Sequence, residues 1–294
     1  MSKIKSLSVG YGDMFYVVHN SDNFSIIDCC MPADRQDEIL DEISSESKPK
    51  GCVRFISTHP DEDHLKGLKA LDERLNLTNF YCAANAATKE DETDDFKHYC
   101  EKRDGEKAFH VYRDCSRRWM NKSDDTRDTA GINIIWPVTS NERYKDALEE
   151  AEEGGSPNNI STVIRYSAKD SGSAMWMGDL ETEFMENIAD AIKWPKTTIV
   201  FAPHHGRDSG RIPHAILDQL KPKIIVLGEA PSRHMHYYGD YHTLTQNSAG
   251  DLLFEYIDNN IHIYCSNADY EADFLDYDEA AELDGWNYLG TLNL

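Results

Sequence analysis

Apolar residues fall in short runs along this chain, and the spacing changes from run to run. Near the start, KIKSLSV, DMFYVVH and FSIIDCC are rich in β-branched and aromatic types. They are separated by the turn formers Gly10, Tyr11 and Gly12 and by residues 20–23, which predicts three early strands. Helical spacing follows over 34–46. CVRFIST reads as a strand, then comes a charged loop, then a helix over about 65–75 with Leu65, Leu68, Leu71 and Leu75. LTNFYCA is another strand. Residues 85–130 are polar and read as an excursion from the core, to which INIIWP returns. NERYKDALEEAEEGG has the pattern of a surface helix ended by glycines. Strands STVIRYSA, SAMWMG, TTIVFA, KIIVLG and NIHIYCS follow, with helices over 181–193 and 213–220 between them, and an acidic tail over 266–294 ends the chain. This alternation predicts sheets covered by helices in a single domain over 1–294.

Composition narrows the function. At 294 residues and 40% apolar the chain can bury a substantial core. No apolar stretch reaches the ~18 residues of a membrane helix, and the N-terminus lacks the pattern of a signal peptide. Seven scattered cysteines without a CxxC pair read as free thiols in a reducing, cytoplasmic setting. The formal net charge of −23 disfavours a protein that grips long nucleic acid by its backbone and suits a partner with a basic surface. A local basic excess lies at Arg117, Arg118 and Lys122.

One loop calls for chemistry. STHPDEDHLKG places His59, Asp61, Asp63 and His64 together directly after a strand. Acids at a helix N-terminus explain the aspartates as caps but not two histidines. Histidine and carboxylate are ligands of zinc, manganese and iron, and a dication offsets repulsion among carboxylates. Asp28, Asp179, and the His204–His205 pair also follow strands, where α/β folds commonly place functional loops.

Taken in order, these segments resemble the metallo-β-lactamase fold, in the variety found in the hydrolase domain of ComEC-type DNA-uptake proteins. The likeness spans about residues 5–265. SVGYGD is similar to the family's Val-Gly-Gln-Gly-Asp, and IIDCC stands where Asp-Thr-Gly is usual. THPDEDHLKGL resembles His-x-Asp-x-Asp-His-x-x-Gly-Leu, and NNISTVIRY resembles the strand where other members keep a metal-binding histidine. MGDLE, APHHG and IVLGEAPSRHMHYYGDYH complete the series. Cys29 and Cys30, Arg207, and the two residues between Gly239 and His242 depart from the pattern.

The resemblance implies an αββα sandwich of the metallo-β-lactamase type and a site for two divalent ions, zinc or manganese. His59 and Asp61 would hold one ion, Asp63 and His64 the other, with Asp179 bridging and one of His204 and His205 completing the set, His204 being favoured by its position at the strand end. His205 and Asp28 would support the ligands from behind. Asp63 would orient an activated hydroxide and His242 would protonate the leaving oxygen. Arg207 would contact substrate phosphate. The implied function is a metal-dependent phosphodiesterase or nuclease acting on nucleic acid or nucleotides. The competing readings are a small ester, thioester or lactone hydrolase, and a metal-binding regulatory or effector subunit of a multi-protein system such as a defence system. Residues 158–161, lacking the histidine of other members, would leave one metal weakly held, and the oxygen-rich ligand set would let manganese compete with zinc.

Overall fold

The computed structural model of the chain describes every residue except 170, 232, 234, 235, 279 and 280; His234, in the His/Tyr-rich loop, lies outside the described residues. The strands are β1 (Ser2–Ser6), β2 (Phe15–Val18), β3 (Asn23–Ile27), β4 (Cys52–Ile56), β5 (Phe80–Ala83), β6 (Ala108–Val111), β7 (Ile132–Trp136), β8 (Val163–Ser167), β9 (Ser173–Trp176), β10 (Ile199–Phe201), β11 (Ile224–Leu227), β12 (Thr243–Thr245), β13 (Leu252–Ile257), β14 (Asn260–Cys265) and β15 (Asn287–Asn293). The helices are α1 (Gln36–Ser47), α2 (Glu62–Leu65), α3 (Leu68–Leu75), α4 (Asp94–Arg103), α5 (Glu142–Glu152), α6 (Thr182–Ile188), α7 (His214–Leu220) and α8 (Gln246–Ala249).

Among the described residues the strands form two mixed sheets. One runs in the order β15-β14-β13-β1-β2-β3-β4-β5-β6, the other β12-β11-β10-β9-β8-β7. Period-two alternation explains why the sheets stack. In β11, Ile224 and Val226 face the layer between the sheets while Ile225 and Leu227 face outward; β10 repeats this with Ile199 and Phe201 inside and Val200 outside. The central layer joins Ile4, Phe15, Val17, Ile27 and Ile56 to Ile164, Trp176, Phe201 and Val226. Within it Trp176 and Phe201 stack with ring centroids 5.2 Å apart. Helices α1, α3 and α4 cover the outer face of the larger sheet through Ile39, Ile43, Leu68, Leu71, Phe96 and Tyr99. Helices α5, α6 and α7 cover the other through Tyr144, Ala147, Met185, Ile188, Leu217 and Leu220. The result is an αββα sandwich. Each fully buried Leu, Ile, Phe or Met among these contributes roughly 1.5–3 kcal/mol by leaving water.

Several expectations change. Residues 85–130 are no excursion: α4 buries Phe96 and Tyr99, and β6 pairs parallel to β5. The segment reads as polar because an edge strand and a surface helix each bury only one face. The tail over 266–294 ends in β15, which pairs antiparallel with β14. The helix over 65–75 is two helices, broken where Gly67 adopts φ +92°, and that over 181–193 stops at Ile188. All seven cysteines are free thiols, Cys100 alone being half-buried rather than buried. No described helix is long and apolar enough to cross a membrane.

Candidate metal centre

The ends of β3, β4, β9 and β10 meet the start of β2 at one edge of the sandwich. Asp28, directly after β3, sits at φ +56°, a region aspartate tolerates better than most residues. Its buried carboxylate accepts bonds from the Thr58 amide (2.7 Å), the Thr58 hydroxyl (2.6 Å) and His64 Nδ1 (2.9 Å). With Nδ1 so engaged, His64 Nε2 lies 3.1 Å from Asp179 Oδ1. His59 sits beside it, the two ring centroids 4.2 Å apart.

Asp179 is placed by a tight crossing. Its amide donates to Ser161 Oγ at 3.0 Å. Gly178 precedes it at φ +54°, where a Cβ would lie 2.6 Å from Ser161 Oγ, so only glycine brings Asp179 this close. His204 and His205 both take left-handed φ, 52° and 56°, and the His204 amide donates to Gly178 O at 3.0 Å. The two rings therefore diverge. Buried His205 places Nδ1 3.1 Å from Asp13 Oδ1 and Nε2 3.3 Å from Asp63 Oδ2 and 3.6 Å from Asp179 Oδ2. His204 bonds Ser209 Oγ through Nδ1 at 2.9 Å, its Nε2 3.7 Å from Asp179 Oδ2.

These residues fit a metal ion. Asp13, His64, Asp179 and His205 offer ligand atoms all within 4.8 Å of one another. His59 Nε2 is buried without a hydrogen-bond partner among the described residues, and His64 Nε2 and Asp179 Oδ1, also buried, face each other at 3.1 Å without a well-aligned hydrogen bond. Each such atom costs about 1–3 kcal/mol when left unsatisfied, and a cation between them would remove that cost. Imidazole with carboxylate suits zinc, manganese or iron.

Without a cation the group relies on protons. Burial lowers His64 and His205, but the Asp179 carboxylate, aided by Asp28 at His64 and by Asp13 at His205, outweighs it: His64 rises well above its ordinary range and His205 to about 10. Burial and the neighbouring His64 push His59 down to about 4. Burial raises Asp63, yet the His205 hydrogen bond and His64 hold it down at about 2.

The sequence-derived set is met only in part. His59, Asp63, His64 and Asp179 converge, and Asp28 stands behind His64. Of the histidine pair, buried His205 joins the donor group, while His204, less buried, stands beside Asp179 with its Nε2 3.7 Å from Oδ2. Asp61 turns away to Lys89 Nζ at 2.5 Å and caps α2 by accepting the Glu62 amide at 2.8 Å. Arg207 is at the rim, its guanidinium 5.5 Å from the Tyr11 ring centre. His242 is at the wrong end: its carbonyl accepts the Ile225 amide at 2.9 Å, at the start of β11, whereas His205 packs at Gly228 beyond the strand's other end. Its ring stacks on Phe274 with centroids 4.4 Å apart. The basic patch is also remote. Arg118 pairs with Asp124, and the Trp119 carbonyl accepts from Arg54 at 3.0 Å, placing this loop against β3 and β4 away from the ends that carry Asp28 and His59.

Asp13 was not singled out from the sequence. Its amide donates to Asp63 O at 3.1 Å, and Gly12 permits the approach, since a Cβ there would lie 2.5 Å from Asp63 O and Cys30 Sγ. The available signal was an aspartate directly after Gly-Tyr-Gly between two strands.

No family profile matches the chain, and no curated protein matches it. Among solved structures it is similar to one described as "Crystal structure of BLEG-1 B3 metallo-beta-lactamase", at 14% identity over 60% of this chain and 71% of that chain, with a TM-score of 0.30.

Proposed function

We propose that this chain is a metal-dependent hydrolase acting on phosphodiesters of small or short-stranded substrates. One observation carries the reading: buried His and Asp donor atoms converge within 4.8 Å of one another beneath a partly exposed rim. Asp63 and Asp61 side chains are 29% and 35% exposed, while His64 is fully buried. A closed structural metal site would have no such mouth.

Asp13, His64, Asp179 and His205 would hold an ion, with His59 beside them. A divalent ion there would polarise a phosphoryl oxygen and supply a nucleophile from water at neutral pH. Asp63, held ionised and reaching solvent, accepts a hydrogen bond from the attacking water and orients it. Arg207 offers its guanidinium to a non-bridging phosphate oxygen. The water oxygen loses a proton to solvent and bonds to phosphorus as the P–O bond to the ester oxygen breaks. With His242 at the far end of the sheet, that oxygen takes its proton from solvent. The charge of −23 supports a small substrate, or one delivered by a partner with a basic surface.

The test is a panel assay of manganese- or zinc-loaded protein on bis(p-nitrophenyl) phosphate, single-stranded DNA, RNA, cyclic nucleotides, thioesters and lactones, with Asp179→Asn as control. Phosphodiester cleavage lost in the control supports the reading. Turnover of thioesters or lactones with phosphodiesters left intact replaces it with the small-ester hydrolase.

A further inference from the structure

The donor atoms at the centre are unequally committed. The half of the site built from Asp13, His64, Asp179 and His205 has four donors within 4.8 Å of one another. The half around His59 is depleted. Asp61, which the His-x-Asp-x-Asp-His pattern offers to that half, is engaged by Lys89 Nζ at 2.5 Å and by the Glu62 amide at 2.8 Å through the same oxygen, Oδ1. Ser161, in the segment without the expected histidine, has its hydroxyl accepting the Asp179 amide. Around His59 there remain a shared Asp179 oxygen, Asp61 Oδ2 and, on the far side of Asp179, His204 Nε2 at 3.7 Å from Asp179 Oδ2, but among the described residues only the Asp13 group brings three or more donor atoms within 4.8 Å of one another.

Lys89 is built into this arrangement. Its side chain is 18% exposed, and its ammonium lies 5.4 Å from the Phe96 ring centre. The loop that carries it is anchored on both sides of the lysine. The Thr88 amide donates to Ala151 O at 3.0 Å and the Thr88 hydroxyl to Glu152 O at 2.8 Å, while the Thr93 hydroxyl donates to Glu62 Oε1 at 2.8 Å. An ammonium so placed neutralises Asp61 and repels a dication from the same position.

We propose that Lys89 is an internal cation standing in for the second metal, so that the chain holds one divalent ion, at Asp13, His64, Asp179 and His205. This rests on the metal-centre reading and makes a separate claim about stoichiometry. The test is metal content by elemental analysis and native mass spectrometry after loading with manganese and desalting, read together with the Mn(II) paramagnetic resonance spectrum. Wild type is expected to retain one ion per chain with the spectrum of an isolated ion. Lys89→Met, which keeps an apolar stem on Phe96 but removes the charge, is expected to retain a second ion and show a spin-coupled pair. Asp61→Asn is expected to keep the single ion, and it decides the matter if Lys89→Met does not fold. Two ions in wild type, one ion in folded Lys89→Met, or loss of the ion in folded Asp61→Asn each overturns the proposal. Wild type without any ion overturns the metal-centre reading and this proposal together.

Discussion

His64 donates through Nδ1 to the buried Asp28 carboxylate at 2.9 Å, and that bond points its other ring nitrogen at Asp179. Asp28 is not a member of the converging donor group, yet it sets the direction of one. Asp28→Asn exchanges a full acceptor oxygen for an amide that competes for the Thr58 and His64 hydrogens. Metal affinity is expected to fall about 10- to 100-fold, the usual effect of losing a partner behind a ligand. Competition with a fluorescent chelator reads this directly; unchanged affinity would show that His64 is oriented by packing alone.

Gly12 lets Asp13 reach the centre. In Gly12→Ala the new methyl would lie 2.5 Å from both Asp63 O and Cys30 Sγ. The Asp63 loop must retreat, costing about 1–3 kcal/mol of stability as for other overpacked sites. Thermal unfolding should show a lower Tm, and metal affinity should drop in the same protein. A Gly12→Ala protein with wild-type Tm and affinity would place Asp13 elsewhere.

His242 supplies a contrast. Its ring rests on Phe274 at the opposite end of the smaller sheet from the donor group. His242→Ala is therefore expected to leave metal content unchanged and hydrolysis within about twofold, as for a surface substitution of up to ~0.5 kcal/mol. A loss of a hundredfold or more in kcat would return it to the reaction.

Proton and metal compete for the same imidazoles. His205 is raised to about 10 in the metal-free protein, above the ordinary value of about 6.5. A histidine raised on folding contributes stability that is fully present below its unfolded pKa and is lost as pH rises through the folded one. Metal-free Tm should thus carry a component that declines between about pH 6.5 and 10. Metal affinity should rise over that interval, because binding must displace the protons. Titrations at several pH values check both; an affinity independent of pH would mean these imidazoles are not ligands.

Much of this was legible in residue order. The unbroken apolar runs of β10 and β11 mark strands buried on both faces, because a side-chain period of two sends Ile224 and Ile225 to opposite sides. The crowding of His59 and His64 with Asp61, Glu62 and Asp63 points to a cation, because the neighbouring carboxylates repel one another when left alone. Less legible was residues 85–130, where one-sided burial in α4 and β6 dilutes the pattern.

Residue order did not convey which of these side chains meet. His205 and Asp13 are 192 residues apart in sequence yet 3.1 Å apart in space, joined because β2 starts where β10 ends, at one edge. Asp61 and Lys89 are 28 residues apart, and Lys89 stands in no motif. His242 follows a sequence motif, but parallel pairing of β12 with β11 carries it to the far end of the sheet. A local pattern records what each segment buries and what charge it holds. Which donors share one small volume depends on strand order and on how loops close at a common edge, and those arise only when the two sheets pack together.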